Sequence, residues 1–366
     1  MKIGINLIQY TDFQGIENFS RNIISNFKIQ DGDELILFTN QNSLKLFNNL
    51  NEKAQIINKN FSKLSRAKLI LYQQFGFIKK LKREKIDILL CPSLALPLFY
   101  RKKIVVIHDL AFKRFREESD FISRIYLNLT LWSAKYFSLK ILTISEFSRK
   151  EISDVIHIPL KKIPNISQGI PYLPPVNENE ISQIIKKFGL EDKVKKYFLY
   201  IGNTHPRKNL TNLAKAFELF SQENPEYFIV LAGKKSVEMN NVFSSSNQRK
   251  KVICTGFISD KEKVSLIKNA CAITFPSYYE GFGMPILEAQ SLGIPLITGN
   301  ASSLPEVAGD AAIFVDPKNV MEIARALKTI SENRIIREEL SEKGIVNCKR
   351  FSWKETTDYI NKIIKE

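Results

Sequence analysis

Short apolar, β-branched runs alternate with longer amphipathic stretches along most of the chain. In the first half the apolar runs predict strands at Lys2–Ile8, Glu34–Phe38, Ile86–Leu90, Lys103–Ile107, Ile141–Ile144 and Lys162–Ile166. Between them, helical periodicity covers stretches such as Gly15–Phe27, Leu64–Lys85 and Ser119–Leu139. The pattern then breaks at Gly169-Ile170-Pro171-Tyr172-Leu173-Pro174-Pro175. That proline density continues neither a helix nor a central strand, so an interdomain linker is expected there. Alternation resumes with strands predicted at Tyr197–Ile201, Phe228–Ala232, Lys251–Cys254, Ala272–Phe275, Pro295–Thr298 and Ala312–Val315. Helices are predicted at Asn209–Ser221, Asp260–Ala270, Met284–Leu292 and Val320–Ile330, with a last one over Ser352–Lys365. Repeated β-α-β alternation on both sides of one break predicts an α/β protein of two doubly wound, Rossmann-like domains. Two such domains facing across a cleft would bind ligands at the carboxyl ends of their strands.

A length of 366 residues suits two domains, and 44% hydrophobic and 25% charged residues suit a soluble globular chain. No run approaches the ~18 uninterrupted apolar residues that cross a bilayer. The N-terminal MKIGINLIQYTDF is too short and polar for a secretory signal and reads as a first strand, so a cytoplasmic protein is expected. Cys91, Cys254, Cys271 and Cys348 are scattered without paired spacing, which suits a reducing compartment and small buried side chains.

The net charge of +16 is uneven. Residues 1–175 carry 27 Lys and Arg against 15 Asp and Glu, a net +12, and residues 176–366 carry 27 against 23, a net +4. The densest basic segments are Lys79–Arg83, Arg101–Lys103 and Lys113–Arg116. They suit either an attraction to polyanions, including an anionic membrane, or the solvation of helix faces.

The most informative segment runs from Phe275 to Ala289, FPSYYEGFGMPILEA. A strand ends, Gly281 and Gly283 flank Phe282 in a turn, and a helix opens at Met284–Pro285. The unpaired amides of that helix end form a seat for a diphosphate or a sugar hydroxyl. Glu280 precedes the turn and Glu288 lies within the helix, so two carboxylates are available to hydroxyls on two rings.

The pattern EGFGMPILE resembles the E-x7-E signature of family 4 retaining glycosyltransferases, which have the GT-B fold. Ser302–Pro317, Tyr200–Leu210, Val106–Phe112 and Leu142–Ile152 are similar to further family segments, in family order. The resemblance implies an acceptor domain over residues 1–172, a nucleotide-sugar domain over 176–350, and a C-terminal helix (352–366) packing back onto the first. It implies that Glu280 contacts the donor sugar, Glu288 the ribose, and the backbone of Gly281, Phe282 and Gly283 the sugar and distal phosphate. Arg207 and Lys208 would neutralise the departing diphosphate, where fixed cations favour the transition state over the ground state. His108 would face the donor, with Asp109 orienting it or taking the acceptor proton. Gly15, in the loop after the first strand, would let backbone approach phosphates or acceptor. Gly202, Asn203, Gly233, Gly256 and Phe257 would line the nucleotide side. Two positions depart from the family: Asn203 stands where many members carry Arg, and Gly15 where many carry paired glycines.

The implied reaction moves a hexose from a GDP- or UDP-sugar to a glycan or lipid-linked glycan, with no obligatory metal or other cofactor. A bacterial surface polysaccharide such as O-antigen or capsule is the expected setting. Asp31-Gly32-Asp33 spells a DxD triplet, but Asp-Gly between a helix and a strand is turn chemistry, so no metal site is expected. Two alternatives are a catalytically inactive sugar-nucleotide-binding subunit and a nucleic-acid-binding protein using the basic half. No nucleic-acid-binding module is recognisable, so no nucleic acid partner is expected.

Overall fold

A computed structural model of the chain describes residues 1–8, 14–40, 47, 51–59, 66–118, 120–234, 242–243 and 249–366. Its contacts divide it into two compact units, Met1–Gly169 with Ser352–Glu366, and Ile170–Phe351.

The first unit is built on a parallel sheet in the order β3-β2-β1-β4-β5-β6. Its strands are β1 (Lys2–Asn6), β2 (Glu34–Asn40), β3 (Ala54–Lys59), β4 (Ile88–Cys91), β5 (Lys103–Val106) and β6 (Lys140–Leu142). The helices of this unit begin with α1 (Gln14–Asn26), α2 (Arg66–Gln74), α3 (Gly76–Arg83) and α4 (Ala111–Arg114). Next come α5 (Phe121–Phe137) and α6 (Glu146–Ile156). Ile5, Leu89, Leu90, Val105 and Val106 are fully buried, as strands covered on both faces require.

Several sequence expectations are corrected here. The single helix expected over Leu64–Lys85 is two, because the backbone breaks at Phe75, whose φ and ψ are −121° and −64°. Gly76 permits the break: a Cβ there would lie 2.6 Å from the Tyr72 ring. Leu64, Ser65 and Ser119 lie outside the described residues. The strand expected at Lys162–Ile166 is reduced to one bridge, Thr143 to Asn165, beyond the end of β6. Pro164 has no N–H to extend the ladder, which closes through Thr143 N to Pro164 O and Ile166 N to Thr143 O. Strand β3 was not legible because AQIINK, at the sheet edge, is half polar. Gly15 sits in the first turn of α1 and not in a loop.

The second unit repeats the topology, in the order β12-β11-β10-β7-β8-β9. Its strands are β7 (Tyr197–Ile201), β8 (Phe228–Ala232), β9 (Val252–Gly256), β10 (Ala272–Phe275), β11 (Leu296–Gly299) and β12 (Ile313–Val315). The helices are α7 (Glu178–Lys187), α8 (Leu210–Glu223), α9 (Asp260–Asn269), α10 (Met284–Ser291), α11 (Leu304–Ala308), α12 (Val320–Glu332) and α13 (Arg334–Cys348). In both units the first and fourth strands are neighbours, and the connections leave them toward opposite edges. Ligands of doubly wound sheets bind at this reversal.

The last helix, α14 (Trp353–Lys365), belongs to the first unit. The Trp353 ring packs edge-on against Phe19 of α1, and Lys28 pairs with Asp358 at 2.9 Å. Asp33, of the Asp-Gly-Asp turn, pairs with the Met1 amine and with Lys365, each at 3.0 Å. Among the described residues no helix is long and apolar enough to cross a membrane.

Candidate active site

The switch point of the second sheet lies between β7 and β10, and the charged side chains collect there. After β7 the chain passes Gly202 and Asn203 and makes a 3-10 turn over Pro206–Lys208. Asn209 then takes the left-handed conformation, with φ 60°. Its amide nitrogen donates to Pro276 O at 2.9 Å and Pro317 O at 2.6 Å. These bonds tie the turn to the end of β10 and launch α8.

That turn delivers two cations to one carboxylate. Arg207 Nη1 lies 3.1 Å from Glu280 Oε2, and Lys208 Nζ lies 2.7 Å from Glu280 Oε1. Arg207 Nη1 also donates to Tyr279 O at 3.2 Å, and Tyr278 N donates to Arg207 O at 2.8 Å. Lys208 Nζ sits 4.9 Å from the centre of the Phe275 ring. The Glu280 side chain is only 8% exposed. Burial alone would raise its pKa, but Lys208 and Arg207 outweigh it and hold the carboxyl below the usual range. Ser277 Oγ, fully buried beside Glu280, has no partner of regular hydrogen-bond geometry among the described residues.

The backbone of the EGFG turn is pinned from α11. Glu280 N donates to Ser302 Oγ at 2.9 Å. Ser303 Oγ lies 2.9 Å from Glu280 O and 3.0 Å from Phe282 O. Gly283 caps α10 with φ 101°, a conformation that favours glycine. Phe282 is buried edge-on against Phe351, 5.7 Å between ring centres.

Glu288, one turn into α10, is 7% exposed and has its own cation: Lys263 Nζ of α9 is 2.8 Å from Glu288 Oε1. Burial disfavours the charged lysine, but Glu288 outweighs it and raises its pKa above the ordinary value. Sequence reasoning missed Lys263, along with Ser302, Ser303 and Asn209 as supports. The capping sequence Ser259-x-x-Glu262 marks the start of α9, but nothing in it marks which lysine faces inward.

Three glycines end three adjacent strands. Gly202 N donates to Ala232 O and Gly233 N to Gly256 O, each at 3.0 Å. A Cβ on Gly233, at φ 145°, would lie 2.0 Å from Gly202 O. Asn203 closes a local turn by accepting from His205 N, and Phe257 is exposed.

His108 and Asp109 lie in the first unit, after β5. His108 Nε2 is 2.8 Å from Pro92 O, which only accepts, so this nitrogen carries the proton. Burial lowers the His108 pKa, against the opposing effects of Pro92 O and Asp109. The ring stands edge-on to Phe19 at 4.9 Å. Asp109 Oδ1 accepts from Ala111 N at 2.9 Å at the start of α4, and the His108 imidazole is held by Pro92 O. Gly15, at the start of α1, meets no described protein atom where a Cβ would stand. Among the described residues no group of three His, Cys, Asp or Glu has metal-binding geometry.

The second sheet thus collects cations, a buried carboxylate and a glycine-capped helix at its switch point, where ligands of doubly wound sheets bind. Residues 181–346 match the family described as glycosyl transferases group 1. The O-antigen chain mannosyltransferase B of Escherichia coli is 28% identical over 277 residues, 74% of this chain and 72% of that one. The serotype-specific mannosyltransferase WbdA of the same organism is 29% identical over 59% of this chain, a match spanning only 27% of its own length. The structure of the Anabaena protein HepE in complex with UDP and glucose superposes with a TM-score of 0.77. It is 16% identical and covers 100% of this chain and 99% of that one. The fold is GT-B, residues 181–346 carry a group 1 glycosyl transferase domain, and the chain is similar to O-antigen mannosyltransferases.

Proposed function

We propose that the chain is a retaining hexosyltransferase that takes its sugar from a GDP- or UDP-sugar. The acceptor is a growing glycan or a lipid-linked glycan of a bacterial surface polysaccharide. The names of the relatives, O-antigen mannosyltransferases, favour mannose and O-antigen assembly. The observation that carries the reading is the grip of Arg207 and Lys208 on Glu280 at the switch point of the second sheet. The two cations stand on the carboxylate that precedes the glycine turn opening α10. A diphosphate fits such a pair of cations, and Glu280 is then available to the hydroxyls of the sugar next to it.

In this reading the bond from the anomeric carbon to the phosphate oxygen breaks, and its electron pair stays on the nucleoside diphosphate. Arg207 and Lys208 meet that charge as it develops, without an obligatory metal. The acceptor hydroxyl forms the new bond on the same face, and its proton passes to the departing phosphate. Glu288, steadied by Lys263, holds the ribose. Gly202, Asn203, Gly233, Gly256 and Phe257 line the nucleotide side. The first unit supplies the acceptor side and His108.

Thermal stabilisation by a panel of UDP-, GDP-, ADP- and dTDP-sugars tests the donor site. Stabilisation by one donor is expected, and its loss in Lys208→Ala and Glu288→Ala. A protein stabilised by none of them, or equally in both variants, would overturn the reading.

A further inference from the structure

Among the described residues, Ser277 Oγ is the one buried side-chain oxygen or nitrogen that lacks a hydrogen-bond partner. Ser277 is fully buried. A hydroxyl taken out of water without a partner is unfavourable, and native interiors keep few of them. This one stands just beyond β10, in the segment that leads to Glu280.

The chain around it is fixed. Phe275 O accepts from Thr298 Oγ1 at 3.0 Å, and Pro276 O from the Asn209 amide at 2.9 Å. Tyr278 N donates to Arg207 O at 2.8 Å, and Glu280 N to Ser302 Oγ at 2.9 Å. On the other side β11 comes so close that a Cβ on Gly299 would lie 2.7 Å from Ser277 O. With the backbone held on both sides of Ser277, the hydroxyl gains no partner from a shift of the chain. Rotation of the side chain and its proton is the freedom that remains.

The acceptor beside it is the Glu280 carboxylate. Burial raises the Glu280 pKa, Lys208 and Arg207 lower it, and the Ser277 hydroxyl is near enough to add a smaller lowering of its own. A carboxylate offers about four lone-pair positions. Lys208 takes one on Oε1 and Arg207 one on Oε2, which leaves room for a further donor. Those two cations are also the groups that a diphosphate would draw. Glu280, only 8% exposed, would then lose part of its compensation, and a buried charge needs a replacement.

We propose that Ser277 is a positioning residue for Glu280, its hydroxyl donating to the carboxylate when Arg207 and Lys208 turn to a bound diphosphate. The free and bound states then differ by an exchange of hydrogen bonds on one carboxylate, which keeps its place while its cations are shared. That role rests on the proposed function in one respect: a diphosphate binds at these cations.

The test is Ser277→Ala in the full chain, alone and combined with Glu280→Gln, titrated calorimetrically with GDP, UDP, GMP and UMP. The urea midpoint of free Ser277→Ala should equal or exceed that of the wild type, because the hydroxyl removed bonds to nothing in that state. Affinity for the diphosphate that the wild type binds should fall by roughly tenfold, the scale of one hydrogen bond to a charged group. Affinity for the matching monophosphate, which has no distal phosphate to draw the cations, should be unchanged. Combined with Glu280→Gln, Ser277→Ala should add no loss, since the neutral amide needs no replacement donor. A lowered midpoint, an undiminished diphosphate affinity, an equal loss for the monophosphate, or an equal loss beside Glu280→Gln would overturn the proposal. A wild type that binds neither GDP nor UDP would remove the functional reading and this role together. A wild type that binds one of them, with Ser277→Ala unaffected, would remove this role alone.

Discussion

Lys208 Nζ and Glu280 Oε1 stand 2.7 Å apart although 72 residues separate them in the chain. The contact is made by two switch-point loops, one after β7 and one after β10, so it exists only when the first and fourth strands of the sheet are neighbours. Lys208 and Arg207 share one carboxylate, and in the proposed reaction they exchange part of that partnership for a diphosphate.

Glu280→Gln keeps the shape of the side chain and removes the charge. Sugar transfer should fall by about 10²–10³-fold, the scale for losing one preorganised polar group at a reacting centre. Binding of the free nucleoside diphosphate should strengthen at the same time, because both cations lose their competitor. Isothermal titration with GDP and UDP reads this directly, and weaker binding would refute the competition.

Lys263→Met leaves the Glu288 carboxylate buried without its cation. Affinity for the donor should drop by roughly tenfold, as for an uncompensated buried charge that must find another partner. Lys263→Arg should recover most of it, whereas a merely structural lysine would alter the unfolding midpoint and leave donor affinity alone. Donor titration of both variants checks the prediction.

Lys103 is fully buried, and its amine donates to Leu98 O, Tyr100 O and Phe137 O. Burial pushes its pKa down from 10.5 to about 8, against a smaller opposing effect of Cys91. Below pH 8 the folded and unfolded chains both hold the proton. Between about 8 and 10.5 the unfolded chain binds a proton that the folded chain has released, so native stability rises with pH. Urea midpoints of the native protein should therefore rise relative to Lys103→Met across that window, by on the order of 2–3 kcal/mol in total. Parallel curves for the two proteins would refute it.

Gly233→Ala should destabilise the second unit by about 2–4 kcal/mol, because the new methyl meets Gly202 O and the φ of 145° excludes an ordinary side chain. Chemical denaturation measures it. An unchanged midpoint would contradict the close approach of the two strand ends.

The sequence carried most of the second unit. Strands β7, β8 and β10 begin and end where the apolar runs do, because central strands buried on both faces must be apolar throughout. The edge strand β3 escaped notice for the converse reason, since one partner strand and an exposed face let Gln55 occupy it. The break between α2 and α3 depends on the Tyr72 ring lying over Gly76, a contact that periodicity does not record.

For the site, sequence alone determined the local chemistry: glycines in the turn before α10, two carboxylates eight residues apart, and adjacent cations after β7. Those features are encoded within short windows, so residue order suffices to read them. Only the tertiary structure decided the pairings. It gave Glu280 to Arg207 and Lys208, Glu288 to Lys263, and Asp109 to the start of α4. It also buried Tyr126 and Leu131 of α5 while leaving Ile122, Ile125, Leu129 and Trp132 exposed. Each of these outcomes depends on which elements become neighbours, and that is set by strand order and packing over long stretches of chain, where no local pattern carries the information.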